Sequence, residues 1–355
     1  MENAVRNAVA SPASARRALP ATLGFGQIFA DVMFRMRYTK AQGWQDGEFC
    51  PYGPLMLDPA AKVLHYGQEI FEGHKGYRWD DGRIALFRPD ANAARMNRSA
   101  RRMRMPEIPV ETQLDAVVEL VRRVQDWVPD APGSLYLRPT MIATEAGLGV
   151  RAATEFLYYV IASPVGPYFP QGFAPIKVHV ESKFTRAAEG GMGAAKTGGN
   201  YAGSLFAQTE AKERGYDAVL WLDAKEHRFI EEISAMNIFF VIDGQITTSP
   251  LTGSILEGIT RDSVITLARD ADEGGVERLI SIDEIIEGIA SGRVSEAFAA
   301  GTAAVITPVG GFAWQGHEHP IRGGEIGPMA QKYYARLTDT QWGRVVDTRG
   351  WIRFI

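Results

Sequence analysis

A proline-rich run divides this sequence into two parts. It reads SPVGPYFPQGFAP, occupies residues 163–175 and contains four prolines. Proline has no backbone N–H and a fixed φ, so such a run interrupts both helices and strand ladders. A chain of 355 residues is also long for one hydrophobic core. We therefore predict a tail over 1–22 that is disordered, a small N-terminal domain over 23–165, a linker over 166–176 and a larger C-terminal domain over 177–355.

Strands and helices are interspersed on both sides of the linker. We predict a strand over Ile84–Phe87, turns at Pro89-Asp90 and Asp243-Gly244, and a helix closed by Pro106. Apolar residues at helical spacing predict a helix in VETQLDAVVELVRRVQDWVP. Strands are predicted in GSLYLRPTMIAT, EFLYYVIASPV, IKVHVES, YDAVLWLD, FIEEIS, MNIFFVID, QITTSP and VSEAFAAGTAAVITPVGGFAW, and helices in NYAGSLFAQTEAKERG, TRDSVITLARD and ERLISIDEIIEGIASG. Without strict βαβ alternation, the predicted fold is mixed α/β with antiparallel pairing common.

Composition excludes several classes of function. The net charge of −4 gives no indication of a nucleic-acid partner. One cysteine, Cys50, excludes an intramolecular disulfide and a cysteine cluster for zinc or iron–sulfur. We predict no metal site and a reducing, cytoplasmic location. No apolar run is long enough to predict a membrane span.

Lys196, in GGMGAAKTGGNY, allows three interpretations. A phosphate-binding loop requires glycine immediately before the lysine, where this chain has Ala195, and a helix that begins at the lysine, where Gly198 is unfavourable. The second interpretation is a surface lysine in a glycine-rich loop. The third is a lysine that forms a Schiff base with pyridoxal phosphate, for which burial and nearby positive charge keep the amine partly neutral. Spacing alone does not decide among them.

Longer motifs resemble those of the branched-chain amino acid aminotransferases, which belong to the class IV family of pyridoxal-phosphate aminotransferases. The resemblance rests on KTGGNYAGSLFAQTEAKERGYDAVLWLD, EEISAMNIFF, SILEGITRDSV and AFAAGTAAVITPV, and in the N-terminal half on LHYGQEIFEGHKGYR, LFRPDANAARMNRSARRMRMP, WVPDAPGSLYLRPTMIATEAGLGV and ASPVGPYFPQG. It covers the chain from about Gly24 to its end. It implies fold type IV, similar to D-amino acid aminotransferase, with the C-terminal domain binding the cofactor.

The resemblance also implies a role for individual residues. Pyridoxal 5′-phosphate would be bound to Lys196 as a Schiff base, and Glu232 would face the pyridine nitrogen, with its neighbour Glu231 as the rival. Tyr201 would donate to the phenolic oxygen of the ring. The phosphate would be held by Arg95, Ile259, Thr260 and Thr302.

Substrate-binding residues follow from the same resemblance. The apolar wall would come from Phe25, Phe71, Tyr136 and Tyr168, with Val150 as a further candidate. The substrate carboxylate would meet the backbone N–H groups around Thr302 and Ala303, with Arg138 near a network of tyrosine hydroxyls. Tyr66 matches a residue that such enzymes contribute across a dimer interface, which implies a homodimer or a higher homo-oligomer.

Two departures from the family pattern bear on regulation and substrate preference. Some members have a redox-active cysteine pair where this chain has Ala304 and Thr307, so no thiol switch is expected. A pocket threonine of some members is Ala235 here, which leaves the preference among leucine, isoleucine and valine open.

The implied reaction transfers the amino group between L-leucine, L-isoleucine or L-valine and 2-oxoglutarate. The alternative is another fold type IV enzyme, such as a D-amino acid aminotransferase or an aminodeoxychorismate lyase. The expected partners are the branched-chain amino acids, glutamate and their 2-oxo acids.

Overall fold

The computed structural model describes residues 17–168 and 171–355. The chain divides into two units. The first takes its described residues from 17–168, Ala195–Gly198 and Asp339–Ile355, and the second consists of Gln171–Ala194 and Gly199–Thr338. Of the predicted N-terminal tail, residues 1–16 lie outside the described residues. Arg17, which falls within that prediction, forms an ion pair with Asp31 at 2.7 Å.

The elements are listed here in chain order. The strands are β1 Val32–Thr39, β2 Gly43–Trp44, β3 Glu48–Pro51, β4 Glu69–Phe71, β5 His74–Arg78, β6 Ile84–Phe87, β7 Ser134–Ala143, β8 Glu155–Val165, β9 Ile176–Val180, β10 Ala218–Leu222, β11 Ile230–Ile233, β12 Met236–Ile242, β13 Gln245–Thr248, β14 Gly274–Glu277, β15 Val294–Gly301, β16 Val305–Trp314, β17 His317–Pro320 and β18 Ile352–Phe354. The helices are α1 Lys62–Tyr66, α2 Pro89–Arg102, α3 Val110–Arg123, α4 Gly198–Ala202, α5 Leu205–Glu213, α6 Ile259–Asp270, α7 Ile282–Ser291 and α8 Pro328–Gln341, with short 3₁₀ turns at Gln125–Trp127 and Arg322–Gly324.

The first unit is built on an antiparallel sheet. Its strand order is β18-β6-β5-β7-β8-β1-β2, with β3 paired to β1 and β4 paired to β7. The last strand of the chain, β18, pairs with β6 and thereby returns the C-terminus to this unit. Helices α2 and α3 contribute Met96, Leu120 and Val121 to the buried core, where sheet residues such as Leu137 and Val160 also lie.

The second unit contains a mixed sheet of order β11-β10-β9-β16-β15-β12-β13-β14. Strand β9 is parallel to β10 and to β16, whereas most of the other pairs are antiparallel. Phe239 and Phe298 stack at 5.3 Å inside it. Local sequence explains α7, because the Ser281 hydroxyl accepts a hydrogen bond from the Glu284 N–H at the helix start, and Gly292 ends the helix with φ of 80°.

The predicted fold class, mixed α/β with common antiparallel pairing, is confirmed. Strand β6 has the predicted bounds, and the predicted turn at Asp243-Gly244 has φ of 49° and 79°. The predicted turn at Pro89-Asp90 is wrong, because α2 begins at Pro89. Proline is well suited to the first position of a helix, where its missing N–H would have no helical partner. The helix predicted over residues 200–215 is divided into α4 and α5.

Candidate active site

Lys196 is held by neighbouring elements of the first unit. Its backbone N–H donates to Ser99 Oγ at 2.9 Å, and its carbonyl accepts from the Phe71 N–H at 3.0 Å. Its Nζ lies 4.8 Å from the centroid of the Phe71 ring. The flanking residues Ala195 and Thr197 are 2% and 0% exposed. Lys196 is therefore a half-buried residue whose backbone is fixed by hydrogen bonds on both sides.

A buried ion pair lies close to this lysine. Glu72 is 0% exposed and Arg95 is 4% exposed. Arg95 Nε donates to Glu72 Oε1 at 2.8 Å and Arg95 Nη2 donates to Glu72 Oε2 at 2.9 Å. Burial alone would raise the pKa of Glu72, but the charges of Arg95 and Lys196 lower it to about 2. The acid is therefore ionised at neutral pH and balances positive charge at this site.

The predicted wall residues of the first unit form one cluster. The rings of Phe25 and Tyr136 are 4.9 Å apart, and those of Phe25 and Tyr168 are 5.2 Å apart. The Arg138 guanidinium lies 4.6 Å from the centroid of the Phe71 ring, and its Nη2 donates to the Tyr136 hydroxyl at 2.9 Å. Because Phe71 also contacts Lys196, the structure brings this aromatic cluster next to the candidate nucleophile.

Tyr66 and Val150 lie at the surface of the first unit. Tyr66 is 42% exposed and Val150 is 85% exposed. The Tyr66 hydroxyl donates a short hydrogen bond to the carbonyl of Leu148, which is itself 65% exposed. The segments 56–66 and 145–150, which carry Tyr66 and Val150, thus form a shared apolar surface.

In the second unit, Glu232 is buried among hydrogen-bond donors. Its Oε1 accepts from Asn237 Nδ2 at 3.1 Å and from the Leu256 N–H at 3.0 Å. Its Oε2 lies 2.8 Å from Arg186 Nε, and both side chains are less than 10% exposed. A carboxylate in such surroundings is favoured in its ionised form.

The neighbouring acid, Glu231, has different surroundings because successive strand residues point to opposite faces. Its Oε1 accepts a short hydrogen bond from the Ser254 hydroxyl. Among the residues that the structure describes, its buried Oε2 has no hydrogen-bond partner. Burial raises the pKa of Glu231 to about 7, although the Ser254 hydrogen bond and the charge of Arg186 partly oppose this.

The predicted phosphate-binding residues of the second unit occupy two segments. Ile259 and Thr260 are the first residues of α6, whose N-cap is Gly258, and both are buried. A Cβ at Gly258 would lie 2.0 Å from Asn237 Oδ1, so any other residue there would have to displace the Asn237 side chain at the start of the helix. Thr302 and Ala303 lie in the turn between β15 and β16. Tyr201 lies in α4 and is half-buried.

Sequence reasoning missed Glu72, Ser99 and Arg186. Glu72 and Arg95 are 23 positions apart along the chain, and no periodicity connects the two. Glu72 and Ser99 lie within the quoted motifs LHYGQEIFEGHKGYR and LFRPDANAARMNRSARRMRMP, which could have pointed to them, but neither was given a role. Arg186 lies outside the quoted motifs, and an isolated arginine is common on any surface.

Comparison with known proteins decides the family. Residues 69–312 match the family described as amino-transferase class IV. The chain belongs to this family. The resemblance found in the sequence motifs is thereby confirmed.

Relatives and solved structures extend the match to nearly the full length. The chain is 51% identical over 341 residues to a probable branched-chain-amino-acid aminotransferase of Streptomyces coelicolor, covering 96% of this chain and 94% of that protein. It is similar in structure to the branched-chain amino acid aminotransferase of Escherichia coli, with a TM-score of 0.76, 28% identity and coverage of 89% and 98%. The branched-chain amino acid aminotransferase of Thermobaculum terrenum, solved in its PLP-form, matches with a TM-score of 0.75, 26% identity and coverage of 92% and 99%.

The described residues contain neither a candidate membrane span nor a candidate metal cluster. No helix within 17–168 or 171–355 combines the length and the apolar character that a membrane crossing requires. The same residues contain no group of three or more His, Cys, Asp or Glu side chains that could hold a metal ion.

Proposed function

We propose that this protein is a branched-chain amino acid aminotransferase that uses pyridoxal 5′-phosphate bound to Lys196. The observation that carries the proposal is the 51% identity to a protein of that name over 96% of the chain. The arrangement around Lys196 supports it, because a half-buried amine stands beside an apolar wall. The solved relative in its PLP-form supports the choice of cofactor.

The residues present fit the chemistry of this cofactor. Its aldehyde requires an amine, for which Lys196 is the candidate. Its phosphate requires an arginine and helix-start N–H groups, which we assign to Arg95, to the start of α6 at Ile259 and Thr260, and to Thr302. Its pyridine nitrogen requires an ionised acid.

Glu232 is the better candidate for that acid than Glu231. Two hydrogen-bond donors and the Arg186 guanidinium surround the Glu232 carboxyl, and each of them favours its ionised form. Glu231 has a pKa raised to about 7 and is partly neutral at physiological pH. Because a neutral acid would not keep a proton on the ring nitrogen, we assign that role to Glu232. Tyr201 is proposed to donate its hydroxyl to the phenolic oxygen of the ring.

The chemistry that the bound cofactor supplies is an electron sink for the negative charge that develops at Cα of the substrate. Lys196 takes the proton from Cα and later returns a proton, acting as general base and then as general acid. The cluster of Phe25, Phe71, Tyr136 and Tyr168 excludes water from the reacting atoms and holds the aliphatic side chain. Arg138 and Ala303 are the residues that we assign to the carboxylate groups of the substrates.

Replacement of Lys196 tests the assignment of the nucleophile. Lys196→Ala should abolish the near-visible absorbance of the bound cofactor as well as transfer from L-leucine to 2-oxoglutarate. Lys177→Ala, a lysine on the exposed side of β9, serves as the control and should leave both unchanged. Full activity of Lys196→Ala would refute the assignment.

The substrate class requires a separate assay. L-leucine, L-isoleucine, L-valine, D-alanine and aminodeoxychorismate should be compared under the same conditions. We expect turnover of the three branched-chain substrates only, because an apolar wall selects an aliphatic side chain. Preferred turnover of D-alanine or aminodeoxychorismate would instead establish one of the alternative fold type IV activities, which the named relatives do not favour.

We also propose that the active unit is a homodimer in the cytoplasm. The segments 56–66 and 145–150 are joined by a backbone hydrogen bond from Gly147 to Ala60 of 2.9 Å. Together they expose Met56 at 99%, Leu148 at 65% and Val150 at 85%, an apolar surface suited to a second copy of the chain. The single cysteine suits a reducing compartment.

The mass in solution tests the dimer. Val150→Asp should shift the protein toward the monomer in light scattering, because a charge on a buried interface is costly. Val346→Asp is the matched control, since Val346 is 86% exposed and distant in sequence from this surface. A wild-type mass of one chain would contradict the proposal.

A further inference from the structure

Glu72 is an ionised acid in a fully buried position. It stands between β4 and β5 and is 0% exposed. Burying a charge is unfavourable unless it is paired and hydrogen-bonded. The reaction assigned to this protein gives Glu72 no step to perform, so the burial of its charge must serve another purpose.

The contacts of Glu72 are directed at one edge of the Arg95 guanidinium. Oε1 receives Arg95 Nε at 2.8 Å and Oε2 receives Arg95 Nη2 at 2.9 Å. This is a bidentate pair, which fixes both the position and the plane of the arginine fork. Arg95 lies on α2, and the pair therefore holds the far end of a long side chain whose near end is fixed by the helix.

Glu72 is itself held from two sides. Asn92 Nδ2 donates to Glu72 Oε2 at 2.8 Å and to the Gly73 carbonyl at 3.2 Å. The Gly73 N–H donates to the same carboxylate oxygen at 3.2 Å. Asn92 is one turn before Arg95 on α2, so the helix that carries the arginine also supports the acid that orients it. The Glu72 carboxylate is therefore held in one position by buried hydrogen bonds, and it can in turn fix the Arg95 guanidinium.

We propose that Glu72 is the positioning residue for Arg95, fixing its guanidinium to bind a phosphate monoester. The inference rests on the proposed function, because it takes the phosphate of pyridoxal phosphate as the ligand. A preorganised arginine loses little conformational freedom when the anion binds. Glu72 also supplies a counter-charge to Arg95 while no anion is bound, which limits the cost of burying the cation.

The test compares two forms of the cofactor, pyridoxal 5′-phosphate and pyridoxal, which lacks the phosphate. Their dissociation constants are measured by absorbance titration of the cofactor-free wild type and of Glu72→Gln. We expect affinity for pyridoxal phosphate to fall about ten- to a hundred-fold, the usual loss for a charged hydrogen bond. Affinity for pyridoxal should stay within about two-fold. An equal loss for both forms would show a merely structural role and overturn the inference.

A double variant tests whether Glu72 acts through Arg95. Arg95→Gln should weaken pyridoxal phosphate binding, and addition of Glu72→Gln should weaken it by less than about two-fold more, because no arginine remains to be positioned. This pair is neutral, so the double variant also serves if Glu72→Gln alone does not fold. A further loss of about tenfold in the double variant would overturn the inference.

A control variant measures the cost of losing a buried carboxylate elsewhere. Glu296 is 4% exposed and accepts the N–H groups of Met329 and Ala330 at 3.0 Å. Glu296→Gln should lower the melting temperature and leave the affinity ratio of the two cofactor forms unchanged. A change in that ratio equal to the one in Glu72→Gln would overturn the inference. If the wild type formed no cofactor adduct at Lys196, the proposed function would be refuted together with this inference. If the wild type formed the adduct but Glu72→Gln left the ratio of the two cofactor affinities unchanged, only this inference would be refuted.

Discussion

Replacing the two adjacent glutamates one at a time should have opposite effects on stability at neutral and alkaline pH. Glu231 is 7% exposed, and burial raises its pKa from 4.5 to about 7. A group whose pKa is raised by folding contributes stability that is fully present below pH 4.5 and is lost as the pH rises to 7. The ionised acid is then buried near the negative charges of Glu232 and Asp223, which the Ser254 hydrogen bond and the charge of Arg186 only partly offset.

The magnitude follows from that pKa change. Each pKa unit is worth about 1.4 kcal/mol, so the full effect is roughly 3 kcal/mol, and solvent screening reduces our expectation to about 2 kcal/mol. Glu231→Gln keeps the size and hydrogen-bonding capacity of the side chain but cannot ionise. It should therefore exceed the wild type in unfolding free energy by about 2 kcal/mol at pH 8 and by less than about 1 kcal/mol at pH 5.

The assay is urea unfolding of the cofactor-free protein at pH 5 and pH 8, with Glu232→Gln as the paired variant. Glu232→Gln should be destabilised at both pH values by about 3 kcal/mol, because it leaves the buried Arg186 without its counter-ion. If Glu231→Gln were no more stable than the wild type at pH 8, the assignment of Glu231 as the partly neutral acid would be refuted. If the two variants behaved alike, the environments of the two acids would not differ as argued.

Three further predictions concern the remaining parts of the site. Gly258→Ala should weaken pyridoxal phosphate binding by about tenfold in an absorbance titration, because the added Cβ displaces Asn237 at the start of α6. An unchanged affinity would show that the approach of Gly258 to Asn237 does not matter for binding. Tyr136→Phe should raise KM for 2-oxoglutarate several-fold with little effect on L-leucine, because it removes the hydroxyl that Arg138 contacts at 2.9 Å; steady-state kinetics that show equal losses for both substrates would count against it. Burial lowers the pKa of His74 from 6.5 to about 4, so stability should be lost as the pH falls between these values, and His74→Gln should show a shallower decline in urea unfolding over that range; parallel declines would exclude His74 as the cause.

Local sequence was sufficient for the elements whose signals are contained within a few residues. The apolar period of VETQLDAVVELVRR predicts α3, and the branched and aromatic run MNIFFVID predicts β12. The turn predicted at Pro89-Asp90 failed, because proline is compatible both with a turn and with the first position of a helix. Only the tertiary environment selects between those two, since Pro89 itself is buried at the start of α2.

Long-range pairing was beyond local sequence. Strand β18 begins at Ile352 and pairs with β6, which ends at Phe87, and its three residues carry no periodicity that would identify a strand partner. The candidate site shows the same division. Motif resemblance supplied Lys196, Arg95 and Glu232. Glu72 lies within the quoted motif LHYGQEIFEGHKGYR but was given no role there, and Arg186 lies outside the quoted motifs, so their contacts with Arg95 and Glu232 emerged only from the folded chain.

The choice between Glu231 and Glu232 shows why chemistry cannot be assigned to a residue type alone. Both are glutamates on the same strand, and both are buried. Because side chains alternate along a strand, Glu231 points toward Ser254. Glu232 points toward Asn237, Leu256 and Arg186. Hydrogen bonds to the charged form favour ionisation, whereas burial with a single hydroxyl donor does not. A shift of one residue along the strand would therefore exchange the carboxylate that we assign to the ring nitrogen for an acid that is itself partly protonated.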